Sequence, residues 1–426
     1  MINIKDKKDC VGCNACIQRC PKQCISMHED KQGFLYPKVN LELCINCGLC
    51  EKVCPVINQT GCMEPLAIYA AKNNNKEIQL ASSSGGIFFA LAKKVIDENG
   101  IVFGARFNEN WEVVHDYTET VEGIKAFQTS KYVQSRIGET FLQAERFLKE
   151  GKVVLFSGTP CQIIGLRLFL KKEYDNLIAV DVVCHGVPSP AIWRDYLKHI
   201  TLMPGDLVNK NSASKSTLNE KNLPVITGIN FRDKRLGWEK YGFSVHAVAH
   251  KCNKNMDSKS NVNISNEFEL LFEPLNRNIF MQGFLKNLYL RPSCYSCPSK
   301  CGKSNSDITL ADYWGIYRED PVFYDKNGVS LLLVMTKTGY DLISKIDITL
   351  RNTSYDNAVK YNPAIIHSTK RPLEYDKFWS EYYCKGLGAL RESLDRHRPS
   401  LSRRLLSVGK DIIRPMYLSI LKLFSK

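Results

Sequence analysis

Residues 152–184 read KVVLFSGTPCQIIGLRLFLKKEYDNLIAVDVVC, and their pattern decides the fold. The run 152–156 is short, apolar and rich in branched side chains, as a buried strand is. Residues 157–161 (SGTPC) make a turn, with Pro160 at the first helical position, where a missing N–H is no loss. Residues 162–172 are helical, and 177–183 form a second apolar strand. This is a βαβ unit, so its strands are expected to run parallel. Cys161 and Cys184 each follow the end of a strand. They fall on one edge of the sheet, the edge where α/β folds bind ligands. Two unrelated buried thiols would show no such matched placement.

Upstream, 67–71 is a short strand and 87–96 an amphipathic helix behind the loop ASSSGG at 81–86. A hairpin joins 100–107 to 111–117. Downstream, 229–232 and 241–249 form a second hairpin, and 307–311 a strand ending at Asp312. Polar inserts at 204–222 and 251–266 read as surface loops.

Ten of the 17 cysteines fall within the first 62 residues. Cys10, Cys13, Cys16 and Cys20 form C-x2-C-x2-C-x3-C-P, and Cys44, Cys47, Cys50 and Cys54 repeat it 34 residues later. This is the spacing of bacterial two-cluster ferredoxins, in which the fourth cysteine of each run crosses to the other cluster. One [4Fe-4S] cluster is therefore assigned Cys10, Cys13, Cys16 and Cys54, and the other Cys44, Cys47, Cys50 and Cys20. Gly12, Ala15 and Gly48 let the chain approach the clusters. A pair of zinc sites is the competing reading, but paired four-cysteine runs with trailing prolines do not resemble zinc fingers. Cys24 and Cys62 lie outside the pattern and read as spare thiols.

The fold class expected is α/β, α+β overall. A small ferredoxin-like domain (1–62) precedes an α/β body in two parts (63–145 and 146–345), then an extension with a helical basic tail (346–426). Cys294 and Cys297 form a C-x2-C pair that lacks two ligands, and Cys161 and Cys184 are available to complete a third [4Fe-4S] cluster. Cys301 extends the pair to C-x2-C-x3-C and leaves the ligand set open, as does zinc at a scattered four-cysteine site. ASSSGG before a helix suits an anion, through free N–H groups and the positive dipole end. Capping serines in a flexible loop are the plainer reading. Lys131 is a phosphate or flavin contact, or a solvated surface lysine.

Hydrophobic residues make up 44% and charged residues 24% of 426, so wholesale disorder is excluded. No apolar run approaches the ~18 residues of a membrane span. The first ten residues lack the apolar stretch of a signal peptide, so a cytoplasmic location is expected. Net charge is 58 − 44 = +14, of which the segment 391–426 carries nine Lys/Arg against three Asp/Glu, or +6. The remaining charge is thinly spread, with no nucleic-acid motif. In 400–426, basic and bulky apolar residues mix around Pro415. Docking back onto the protein or onto a partner chain suits this tail better than a membrane surface. Homo-oligomerisation is compatible with the sequence.

ASSSGG (81–86), SKYVQS (130–135), FSGTPCQ (156–162), VCHGVP (183–188), FRDKR (231–235), RPSCYSC (291–297) and SDITLADYWG (306–315) occur in that order. Together with the ferredoxin block they resemble the family of coenzyme F-420 hydrogenase/dehydrogenase beta subunits over about residues 1–340. The resemblance implies an FAD-containing iron–sulfur oxidoreductase that exchanges hydride with the deazaflavin coenzyme F-420 or a similar carrier. It implies Ser83, Ser84, Gly85 and Gly86 at the FAD pyrophosphate, Lys131 and Ser135 nearby, and His185 and Asp312 near the flavin ring as catalytic candidates. It implies Cys161, Cys184, Cys294 and Cys297 as central cluster ligands, and Cys301 departs from the family pattern. Hydride moves two electrons and each cubane one, so a flavin belongs between substrate and clusters. The alternative is an electron-transfer subunit that serves a redox partner protein and has no substrate of its own.

Overall fold

The computed structural model describes residues 1–202, 223–249 and 267–396. Both polar inserts and the whole 400–426 tail lie outside these residues. In the N-terminal block, β1 (Ile25–Glu29) and β2 (Leu35–Val39) pair as an antiparallel hairpin. The body contributes β3 (Ala67–Asn73), β4 (Ile101–Phe107), β5 (Val113–Thr118), β6 (Val154–Gly158) and β7 (Leu177–Val182). Next come β8 (Val225–Asp233), β9 (Gly242–Val248) and β10 (Phe268–Pro274), which form a separate three-stranded antiparallel sheet. Then β11 (Ile308–Asp312), β12 (Ser330–Val334) and β13 (Ile348–Asn352) complete the main sheet.

The main sheet is mixed, with eight strands in the order β13-β3-β12-β11-β7-β6-β4-β5. The expected parallel pair is present: Phe156 on β6 opposes Ala179 on β7. β4 continues the parallel run beside β6, and β11 beside β7. The C-terminal ends of β6, β7 and β11 therefore share one edge, just beyond which stand Cys161 and Cys184, with Asp312 closing β11.

Alternation along the central strands builds two cores. Val102, Leu155, Ile178 and Val180 face the helix Ile87–Asp97, with Leu91 and Val95. Phe103, Phe156, Leu177 and Ala179 face the helix Pro160–Leu170, with Ile163, Leu166 and Phe169. That second core also contains Val11, Cys13, Ala15 and Val53, so the N-terminal block packs into the body. At ~1.5–3 kcal/mol per fully buried large apolar side chain, even these few residues fix its position. A third core joins the small sheet to the helices Ile279–Leu285, Tyr375–Lys385 and Leu387–Arg396, through Phe231, Phe243, Phe280, Phe378 and Leu390.

Candidate functional site

The two cysteine runs fold as two loops that exchange their fourth residue. Gly12 and Gly48 sit at φ +73° and +71°, the left-handed turns that curl each loop inward. Cys10, Cys13, Cys16 and Cys54 line one pocket of about 340 Å³. Cys20, Cys44, Cys47 and Cys50 line the other, of about 350 Å³, where Cys24 joins them. The Cys24 and Cys20 sulfurs lie 3.4 Å apart. Each pocket thus takes three cysteines of one run and the fourth of the other. The backbone N–H of Ile2 donates to Cys50 Sγ at 3.2 Å, the kind of contact that tunes a cluster sulfur.

At the sheet edge, Cys161 lies in the first turn of the helix Pro160–Leu170, whose start is held by Thr159 N–H donating to Gln162 Oε1 at 2.9 Å. Cys184 follows β7. Cys294 and Cys297 belong to the short turn after Arg291. Burial pushes the Cys294 thiol up, and Cys184, Cys297 and Cys161 push it further. Burial likewise raises Cys161 to about 12 and Cys184 to about 11. Four neutral thiols gathered this closely become thiolates when a metal supplies the balancing positive charge. Among the described residues no three His, Cys, Asp or Glu side chains converge as a single-ion site. Four thiolates are the donor set of a [4Fe-4S] cluster, and a tetrahedral zinc takes the same four. Cys301 stands apart: its thiol neighbour is Cys62. Lys300 Nζ donates to Cys184 O at 2.6 Å and to Ala364 O at 2.8 Å, pinning the loop that carries Cys184.

Beside this ring, three of the motif stretches meet at Ser83. Ser130 N–H donates to Ser83 Oγ at 2.8 Å, and Arg232 Nη2 donates to Ser83 O at 3.1 Å. Lys234 Nζ donates to Ser84 O at 2.7 Å, to Gln79 O and to Asn327 O. Ser84 Oγ is committed to Val329 O and the Gly85 N–H to Ser330 Oγ. A Cβ on Gly85 would lie 2.5 Å from Ala71 O, so close packing on β3 and β12 accounts for that glycine. Gly86, at φ +83°, begins the helix Ile87–Asp97 with no side-chain cap.

Lys131 is half-buried and donates to Thr129 O at 2.9 Å, with no described carboxylate in ion-pair range. Enclosure of its ammonium by the protein pulls its pKa down to about 7. Nearby, His115 is buried, and burial lowers it to about 4. Its Nε2 meets Ser157 O at 3.0 Å, and its Nδ1 is buried without a partner. An unneutralised lysine beside an orphaned ring nitrogen suits a ligand that is anionic and carries polar ring atoms. These residues therefore fit FAD.

Asp312, a candidate near the flavin ring, is held in an ion pair. It pairs through both oxygens with Arg232, at 2.8 and 3.1 Å, and accepts from Trp238 Nε1 at 2.8 Å. It is the counter-ion of a guanidinium that is 3% exposed. His185 Nε2 meets Asn287 Oδ1 at 2.6 Å, and its ring packs on Phe284, which stacks on Tyr132. Burial lowers the His185 pKa, against the hydrogen bond to Asn287, which raises it. Ser135 Oγ accepts from Gln162 Nε2 at 2.9 Å, beside Cys161. The 130–135 stretch thus runs from the Ser83 loop to the thiol ring. Sequence reasoning picked out the stretches holding Arg232, Lys234 and Arg291 without giving these residues roles, and it missed His115. Arg232 and His115 interrupt the strands β8 and β5, which was the available signal, whereas Lys234 and Arg291 lie in turns.

Residues 151–353 match the family described as the C terminus of the coenzyme F420 hydrogenase/dehydrogenase beta subunit, and residues 9–58 match the 4Fe-4S dicluster domain. The chain is similar to one subunit of the F(420)H(2) dehydrogenase of Methanosarcina mazei, with 22% identity over 40% of this chain and 51% of that one. It is similar to the coenzyme F420-dependent sulfite reductase of Methanocaldococcus jannaschii, with 28% identity over 46% of this chain and 30% of that protein. Those matches span about half of the first relative and under a third of the second. A chain of the F420-reducing [NiFe] hydrogenase complex from Methanosarcina barkeri aligns with TM-score 0.41 and 16% identity, over 77% of this chain and 95% of that one.

Proposed function

We infer, from a chain that belongs to the family of coenzyme F420 hydrogenase/dehydrogenase beta subunits over residues 151–353 and to the 4Fe-4S dicluster domains over 9–58, that the protein is an iron–sulfur oxidoreductase. Beyond that, we propose that FAD binds between Ser83, Lys131 and the Cys161/Cys184/Cys294/Cys297 ring, and that the ring holds a third [4Fe-4S] cluster. The observation that carries this reading is the meeting of the Ser83 loop, Lys131 and His115 beside the four thiols. FAD would supply the exchange between two-electron hydride chemistry and one-electron transfer.

The chain's own residues then have assignable tasks. Lys131 neutralises an anionic part of the ligand, and the uncapped helix start at Gly86 offers N–H groups to the phosphates. Arg232, fixed by Asp312, holds the Ser83 carbonyl and shapes the loop. His185, oriented by Asn287, stands beside Cys184 of the ring. Cys13 packs against the helix that carries Cys161, so the first ferredoxin cluster is next in line and the second is outermost. A deazaflavin or nicotinamide hydride carrier is the proposed small-molecule partner, with an electron-transfer protein at the outer end. The Methanosarcina mazei relative is named as a subunit, which supports a protein partner.

Anaerobic purification of the full chain, with identification of released flavin and an assay of viologen reduction by reduced deazaflavin or NAD(P)H, tests this. Bound FAD and turnover with one of these donors are expected. Complete clusters, no flavin and no turnover would overturn the flavin reading in favour of an electron relay.

A further inference from the structure

Arg291 is 1% exposed and lies between the first ferredoxin site and the central ring. Its Nε donates to Cys10 O at 2.7 Å, and its Nη2 to Leu35 O at 2.8 Å and to Cys10 Sγ at 3.5 Å. Nη1 donates to Gln134 Oε1 at 2.8 Å. The guanidinium also faces the Tyr36 ring at 4.4 Å and the Phe34 ring at 5.4 Å. On the other side, its own carbonyl accepts from Cys294 N–H at 2.9 Å. No described carboxylate lies within ion-pair distance of it. Gly12 makes the approach feasible, since a Cβ there would lie 2.8 Å from Arg291 Nη1 and 2.8 Å from Gln134 Nε2.

A buried cation without a counter-ion is costly on its own. The neighbours able to balance it are the thiolate-bound clusters on either side, each net negative in both oxidation states. We propose that Arg291 is a positioning residue that couples the first ferredoxin cluster to the central one. Its fixed charge favours the reduced form of both, and its hydrogen bonds hold Cys10 and Cys294 on one rigid frame. Low local dielectric makes the charge act strongly at this range. The second ferredoxin cluster has no such contact with Arg291 and should not feel it comparably. This inference rests on the three-cluster reading above.

The test is an EPR-monitored redox titration of the anaerobic full chain and three variants. Arg291→Gln removes the charge. Gln134→Glu leaves Arg291 in place and neutralises it with an isosteric carboxylate, so it remains informative if Arg291→Gln misfolds. Arg291→Lys keeps the charge. The first two variants should disfavour reduction of the first and central clusters by roughly tenfold, which is about 59 mV for a one-electron couple, and leave the second cluster in place. Arg291→Lys should restore most of the shift. Unchanged potentials in Gln134→Glu, or an equal shift of all three clusters, would overturn the proposal. Eight irons in the unaltered protein would instead break the three-cluster reading, and a shift at the first site would still support the role of Arg291.

Discussion

The two cysteine loops have nearly the same sequence pattern and opposite surroundings. Cys13 is 7% exposed, and its side chain lies against Gly165, where an added Cβ would come within 2.9 Å of the Cys13 Cβ. Gly165 is one helical turn beyond Cys161, a rise of about 6 Å. Its counterpart Cys47 is exposed, in a stretch where Leu41, Leu43 and Ile45 are 66%, 55% and 59% exposed. A repeat therefore fixes the metal-binding loop and says nothing of its environment. The rest of the chain makes one copy an inward site and the other an outward one.

The largest expected difference follows from that contrast. Cys13→Ser should remove about four irons and destabilise the whole body by more than about 4 kcal/mol, because the proposed ligand is also part of a shared core. Cys47→Ser should cost a similar amount of iron and leave the unfolding of the body nearly unchanged. Iron analysis with denaturant unfolding compares them, and equal destabilisation by both would erase the distinction.

A smaller effect sharpens the same contrast at the glycines. Gly165→Val should overpack the contact with Cys13 and cost about 1–3 kcal/mol. Gly48→Ala meets nothing closer than Glu51 Oε2 at 3.9 Å, so its cost of about 1–2 kcal/mol comes from the left-handed backbone alone. Reduced iron at the first site in Gly165→Val, with the second intact, would locate the damage.

The pH dependence tests the inner end. Lys131 titrates near 7 in the folded, ligand-free chain and near 10.4 when unfolded. Below pH 7 both states hold the proton and the cost of enclosing the charge is fully felt. Between about 7 and 10.4 the unfolded chain binds more protons, so stability rises with pH. Thermal unfolding of flavin-free protein should show this rise, reduced in Lys131→Met. FAD should bind more weakly to that variant, and full flavin occupancy would move the anion elsewhere. The smallest effect belongs to the outer loop: Leu43→Ser and Ile45→Ser should change stability by less than about 0.5 kcal/mol.

Much of this arrangement was legible in the sequence because it is local. Strand, helix and strand at 152–183 follow from periodicity and a turn, and the crossed cysteine grouping follows from spacing. What sequence could not show depends on long-range contacts. Asp312 ends a strand at the ligand edge, as a catalytic acid would, but Arg232, 80 residues away, occupies both of its oxygens. Gly85 sits in a loop that reads as anion-binding, while its close neighbours are β3 and β12. Cys301 extends a ligand-like run, yet its left-handed backbone at φ +59° accompanies a thiol set beside Cys62. The third strand of the small sheet, β10, follows a long polar insert, where no turn signal fixes its register.

The central claim is a third cluster on the sheet edge, and iron stoichiometry tests it most directly. Anaerobically purified full chain should contain three four-iron clusters, about twelve irons, and Cys294→Ala should lower this to about eight. A count of about eight in both proteins would contradict the account.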